Sequence, residues 1–159
     1  MDRDAALRAH LQRLLDWKDA HAGFDAAIEG IPAGKRGAVP EGLPHSPWQL
    51  LEHIRRAQWD ILDFCRNAHY VEPKSMEEYW PEGPEPPGPK AWDESVASVR
   101  RDREALKKMA SDPAIDLFAR VPLGNPSQTY LREIVLVADH SAYHVGQLVL
   151  TRRLLGIWS

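Results

Sequence analysis

The stretch Asp139-His140-Ser141-Ala142-Tyr143-His144 sets two imidazoles four residues apart inside an unbroken helical pattern near the C-terminus. In a helix such residues lie one turn apart on one side, close enough for both rings to hold a single metal ion. A third ligand from elsewhere would complete a centre with an open coordination position. Spacing alone does not establish one, because a chain with seven histidines produces such a pair often by chance. The case depends on the elements that position these residues.

Four helical segments are expected, and no convincing strand alternation is present. The first spans about Arg3 to Ile28, with Leu7, Leu11, Leu14, Trp17, Phe24 and Ile28 at helical spacing. A loop rich in glycine and proline follows, from Gly30 to Pro44, longer than a simple connection needs. Ser46-Pro47-Trp48-Gln49 opens the second helix: Ser as N-cap, Pro in the first position, Gln closing a capping box. That helix continues to about Ala68 and buries Leu50, Leu51, Ile54, Ile61, Leu62 and Cys65. Six prolines between Pro73 and Lys90 argue against helix there and for an extended strap. Tyr79 and Trp80 within it imply that the strap packs on the bundle. The third helix, about Asp93 to Ala110, is charged with one apolar seam of Val96, Val99, Leu106 and Met109. The fourth runs from about Ser127 to Leu155. The expected architecture is an all-α four-helix bundle with long Pro-rich connections, forming one domain over residues 1–159.

The fourth helix is apolar over most of its circumference. Leu131, Ile134, Val135, Ala138, Ala142, Val145 and Val149 make one stripe, and Leu136, Tyr143, Leu150 and Leu154 a second about 120° away at helical spacing. Two such faces call for neighbours on two sides, inside the bundle or across a dimer interface. His140 and His144 lie in neither stripe. They share a polar seam with Glu133, Gln147 and Thr151, which is open to two readings, a solvent face or a site. His53 fits as third ligand, being at the margin of the apolar stripe of the second helix, with Ala57, Asp60 and Phe64 following on its side. His10 and His21 fall on the apolar face of the first helix and are the replacements should His53 fail. His45 precedes the capping box, and His69 ends the second helix, where a cation suits the dipole.

A net charge of −3 leaves no basic footprint for nucleic acid. No run of about eighteen apolar residues is present to span a membrane. Cys65 is the only cysteine, which excludes an internal disulfide and a thiolate-rich zinc site. With no apolar leader at the N-terminus, the expected location is the cytoplasm.

Pro44-His45-Ser46-Pro47-Trp48-Gln49-Leu50-Leu51-Glu52-His53, the strap around Tyr79-Trp80-Pro81, Trp92-Asp93, and Asp139 through Leu148 together resemble the DinB-like (DinB/YfiT-type) superfamily, in order over nearly the whole chain. This is the divergent metalloenzyme family, not the DNA polymerase that shares the name. The resemblance implies a four-helix bundle, often dimeric, that holds a divalent metal through three histidines. Carried over by position, these are His53, His140 and His144. Three neutral nitrogen donors suit zinc or nickel and leave a position for water or substrate. The implied activity is a thiol-dependent transferase using a low-molecular-weight thiol on a small-molecule substrate. A metal-dependent hydrolase and a non-catalytic binding dimer are the alternatives. Asp60, two turns after His53, is the candidate to orient a ligand or take a proton. Asp139 and Glu133 are candidates to bond an imidazole N–H, and Tyr79 and Trp80 to wall the pocket.

Overall fold

The element that carries His53 is specified most sharply at its start. In the computed structural model, which describes residues 2–16 and 19–158, Ser46 accepts from the Gln49 amide while the Gln49 side chain takes up the Ser46 amide. This reciprocal cap satisfies two otherwise orphan donors. With Pro47 in the first turn, it fixes where the long helix of residues Pro47–Arg66 begins. Leu50, Leu51, Ile54 and Leu62 are at most 2% exposed along its inner face. Each contributes roughly 1.5–3 kcal/mol of burial free energy.

Numbered in chain order, the helices are α1 (Arg3–Leu15), α2 (Phe24–Ile28), α3 (Pro47–Arg66), α4 (Ala91–Ser111) and α5 (Tyr130–Leu154). α3 lies against both α4 and α5, α1 packs on α4 and α5, and α2 packs on α5. Among the described residues four long helices form the bundle, and α2 is a short fifth. Among the described residues no strand forms beyond an isolated Arg120–Thr129 bridge. No helix is long and apolar enough to cross a membrane among these residues.

The expected first helix is broken in two. At about 100° per residue, Phe24 and Ile28 would lie about 80° round a straight helix from the Leu7–Leu11–Leu14 stripe. Ending α1 at Leu15 and restarting after Gly23 lets Leu11 and the Phe24–Ala27–Ile28 face both enter the core. Arg152 of α5 caps the C-terminal end of this short helix by donating to the Ala26 and Ala27 carbonyls. Trp17, expected in the same stripe, lies outside the described residues. The break also corrects the reading of His10 and His21, which are exposed instead of facing the core.

α3 ends at Arg66, so His69 sits beyond the helix on the surface. The strap contains no α-helix, as expected, but it bends repeatedly instead of running straight and makes one 3-10 turn at Met76–Tyr79. That turn falls between Pro73 and Pro81, the longest stretch of the strap free of proline. The strap is tied down by backbone acceptors: Ser46 Oγ donates to the Pro84 carbonyl, and Arg56 Nη1 donates to those of Glu78 and Trp80. The long loop before α3 has a role here, because a Cβ on Gly37 would approach to 3.1 Å from Glu85 Cα.

Candidate metal centre

The polar seam of α5 faces inward. His144 is 7% exposed and Glu133 1%, beside the fully buried Leu148. The solvent-face reading of this seam is thus overturned, and the apolar residues Val135, Tyr143, Leu150 and Leu154 are the ones left outside. The helical wheel of α5 alone cannot reveal this, since nearly every side of it is apolar enough to be buried.

α3 and α5 bring His53, His140 and His144 together, each offering one ring nitrogen within 4.8 Å of the others. The Nε2 atoms of His53 and His140 are 3.1 Å apart. His140 and His144 stand one turn apart on α5, their ring centroids 4.4 Å from each other. Two of the three rings are oriented from behind. Nδ1 of His53 lies 3.2 Å from the Tyr79 carbonyl, and Nδ1 of His144 lies 2.7 Å from Oε1 of Gln147. Both acceptors hold the proton on Nδ1 and leave Nε2 as a free donor to a cation. Burial, reinforced by the neighbouring His144, holds His53 and His140 down to about 4. Burial lowers His144 as well. All three imidazoles are therefore neutral at neutral pH, as metal ligation requires. A set of three nitrogen donors on one side of the site fits a borderline divalent ion and leaves coordination positions free.

Trp80 closes one flank. Its indole is stacked on His53 at 3.9 Å between centroids and 6° between planes, and on His45 at 3.9 Å and 18°. Two imidazoles at that distance do not fit side by side on one face of an indole, so Trp80 is sandwiched between them. His45 thus backs the wall and is not merely a loop residue. Behind α3, Glu52 anchors the layer beneath His53. Burial pushes its carboxyl up, but the bonds from Arg55 and Ser95 and the charges of Arg55 and Arg56 outweigh this and leave it lowered.

His53 and His140 also line a cavity of about 480 Å³. Its α3 wall carries Ala57, Asp60 and Phe64, the residues expected on the His53 side of that helix. Asp60 accepts from the hydroxyls of Tyr70 (2.9 Å) and Tyr79 (2.8 Å). Tyr79 thereby touches both the cavity and, through its carbonyl, His53.

Neither candidate carboxylate bonds an imidazole. Asp139 is exposed, and Glu133 binds Arg132 Nη1 through both oxygens, at 2.8 and 3.0 Å. The orienting groups that sequence reasoning missed are Gln147 and the Tyr79 carbonyl. Gln147 follows His144 by three residues in the same polar seam, which was the available signal. A backbone carbonyl from a strap leaves none.

A family model described as the DinB superfamily matches residues 16–148, a span that includes all three histidines and the strap. No curated protein and no solved structure matches the chain.

Proposed function

The chain belongs to the DinB superfamily, and on that premise we propose that it is a metal-dependent enzyme working at a zinc or nickel ion held by His53, His140 and His144. The observation that carries this reading is the convergence of three neutral imidazoles, two with Nδ1 already committed to an acceptor. A divalent ion in such a site supplies Lewis-acid chemistry, lowering the pKa of a coordinating thiol or water.

The neighbouring side chains favour a thiol over water as the attacking group. Hydrolysis calls for a carboxylate free to take the proton of the attacking water. Of the three carboxylates lining the cavity, Glu133 is committed to Arg132 and Asp60 to two phenols, while Glu72 is exposed to solvent. A coordinated thiol ionises without such a base. The reaction would then join the thiol sulfur to an electrophilic carbon of a small molecule in the cavity, with the thiol proton leaving alongside the displaced group. Asp60 serves in this scheme to orient the ligand. The second apolar face of α5, where Tyr143 is 64% and Leu154 54% exposed, supports a homodimer joined across that helix.

His53→Ala and His144→Ala are expected to lose stoichiometric metal in elemental analysis of untagged protein while keeping the helical circular dichroism of the parent. Stoichiometric metal in both variants would overturn the ligand assignment. Turnover of thiols with electrophiles that chelator abolishes supports transfer. Turnover of activated esters or amides alone supports a hydrolase, and silence across both panels a non-catalytic binding protein.

A further inference from the structure

One polar cluster of the cavity lies apart from the metal ligands. Asp60 sits seven residues after His53 on α3, about 10 Å along the helix axis, on the same cavity wall. Each of its oxygens accepts a phenolic proton, the arrangement of an ionised carboxylate. Among the described residues no lysine or arginine forms an ion pair with it, and the charges of Asp63 and Glu72 beside it are themselves acidic. Among the described residues the guanidinium that lines the cavity is that of Arg132, whose Nη1 is bound to Glu133. This stretch of the wall is therefore a carboxylate without a counter-ion, in a negative field.

The hydrogen-bond inventory narrows what fits. Tyr70 and Tyr79 each have one hydroxyl proton, and Asp60 takes both. Burial and the adjacent carboxylate push both phenols up, so the protons stay in place. What remains toward the cavity is acceptor capacity alone: lone pairs on two phenol oxygens and on the carboxylate. An anion or a carbonyl finds no donor there. A primary ammonium, with three donors and no acceptor, matches the set in number and sign. Between this cluster and the histidines the wall is apolar, with Ala57, Ile61 and Leu136. Met76 and Leu123 at the cavity are 73% and 52% exposed, an apolar approach from solvent.

We infer that Asp60, Tyr70 and Tyr79 form a receptor for a primary ammonium group. The substrate is then a small amphipathic amine whose other end, about 10 Å away, carries the group that meets the metal. The second half of this statement rests on the metal centre proposed above; the first half does not.

The test is calorimetric titration of the zinc-loaded full chain with three six-carbon thiols, terminated by an amine, a hydroxyl or a carboxylate. The amine is expected to bind at least about tenfold more tightly than the hydroxyl compound, the worth of one charge-assisted hydrogen bond, and the carboxylate most weakly. Asp60→Asn should erase the preference with zinc content unchanged by elemental analysis. Equal affinity for all three thiols in the parent protein, or a preference surviving Asp60→Asn, would overturn the inference. Should the chain hold no zinc, the metal reading fails separately. Hexylamine against hexanol on the metal-free chain then decides the ammonium receptor, with the same expected preference and the same loss in Asp60→Asn.

Discussion

Gln147→Met probes the centre without touching a ligand. Oε1 of Gln147 stands 2.7 Å from Nδ1 of His144 and is the group that fixes this ring's tautomer and rotation. Methionine keeps the length and helix propensity of glutamine and removes the acceptor. The other bond of the side chain, Nε2 to Tyr143 Oη at 3.3 Å, is exposed and of small consequence. Loss of an orienting partner costs about ten- to a hundredfold in metal affinity, or about 1.4–2.7 kcal/mol. With metal in excess over both dissociation constants, that difference appears in full as reduced stabilisation of the folded state. For a chain of this size it lowers the metal-induced rise in melting temperature by about 3–11 °C. The metal-free melting curves of parent and variant should agree to within about 0.5 kcal/mol, since a partly exposed side chain is being changed. The assay is a pair of thermal melts with and without zinc, backed by competition against a chromophoric chelator. Equal metal-induced shifts in the two proteins would refute the claim that His144 is oriented through Gln147.

Two more outcomes follow from the same structure. Burial pushes the Cys65 thiol up to about 12, so from neutral pH to well above it the native protein holds a protonated, inert thiol. Ellman's reagent should react with it at pH 8 only after guanidinium unfolding, and fast reaction in native buffer would contradict this. Leu150→Glu, which sets a charge in the exposed apolar face of α5, should give a monomer by light scattering with unchanged helix content; an unaltered dimer would exclude that face as the contact.

Much of the scaffold was legible because it is written in local chemistry. The Ser46–Gln49 capping box is a four-residue signal, and it opens α3 where the sequence predicts. The boundaries of α4 and α5 likewise fall within a few residues of their periodic patterns. The break between α1 and α2 was not legible, because what ends α1 is the packing of Phe24 and Ile28 and the capping of α2 by Arg152, a residue far away in sequence. The turn at Met76–Tyr79 was hidden by the prolines on either side of it.

The three histidines divide along the same line. The i,i+4 spacing of His140 and His144 is a property of one helix and can be read from the sequence. His53 at the margin of α3 is also a one-helix property. Whether the seam between them faced water or the interior was not, because α5 is apolar on most sides and its rotation is set by what α1, α3 and α4 present to it. Tertiary packing turned that seam inward and brought the Nε2 atoms of His53 and His140 to 3.1 Å. It also laid the Tyr79 carbonyl and the Trp80 ring against His53. The sequence by itself determined which helices form and which residues are able to ligate. The tertiary structure alone decided that they meet, because a contact between α3, the strap and α5 joins segments whose mutual orientation no local pattern encodes.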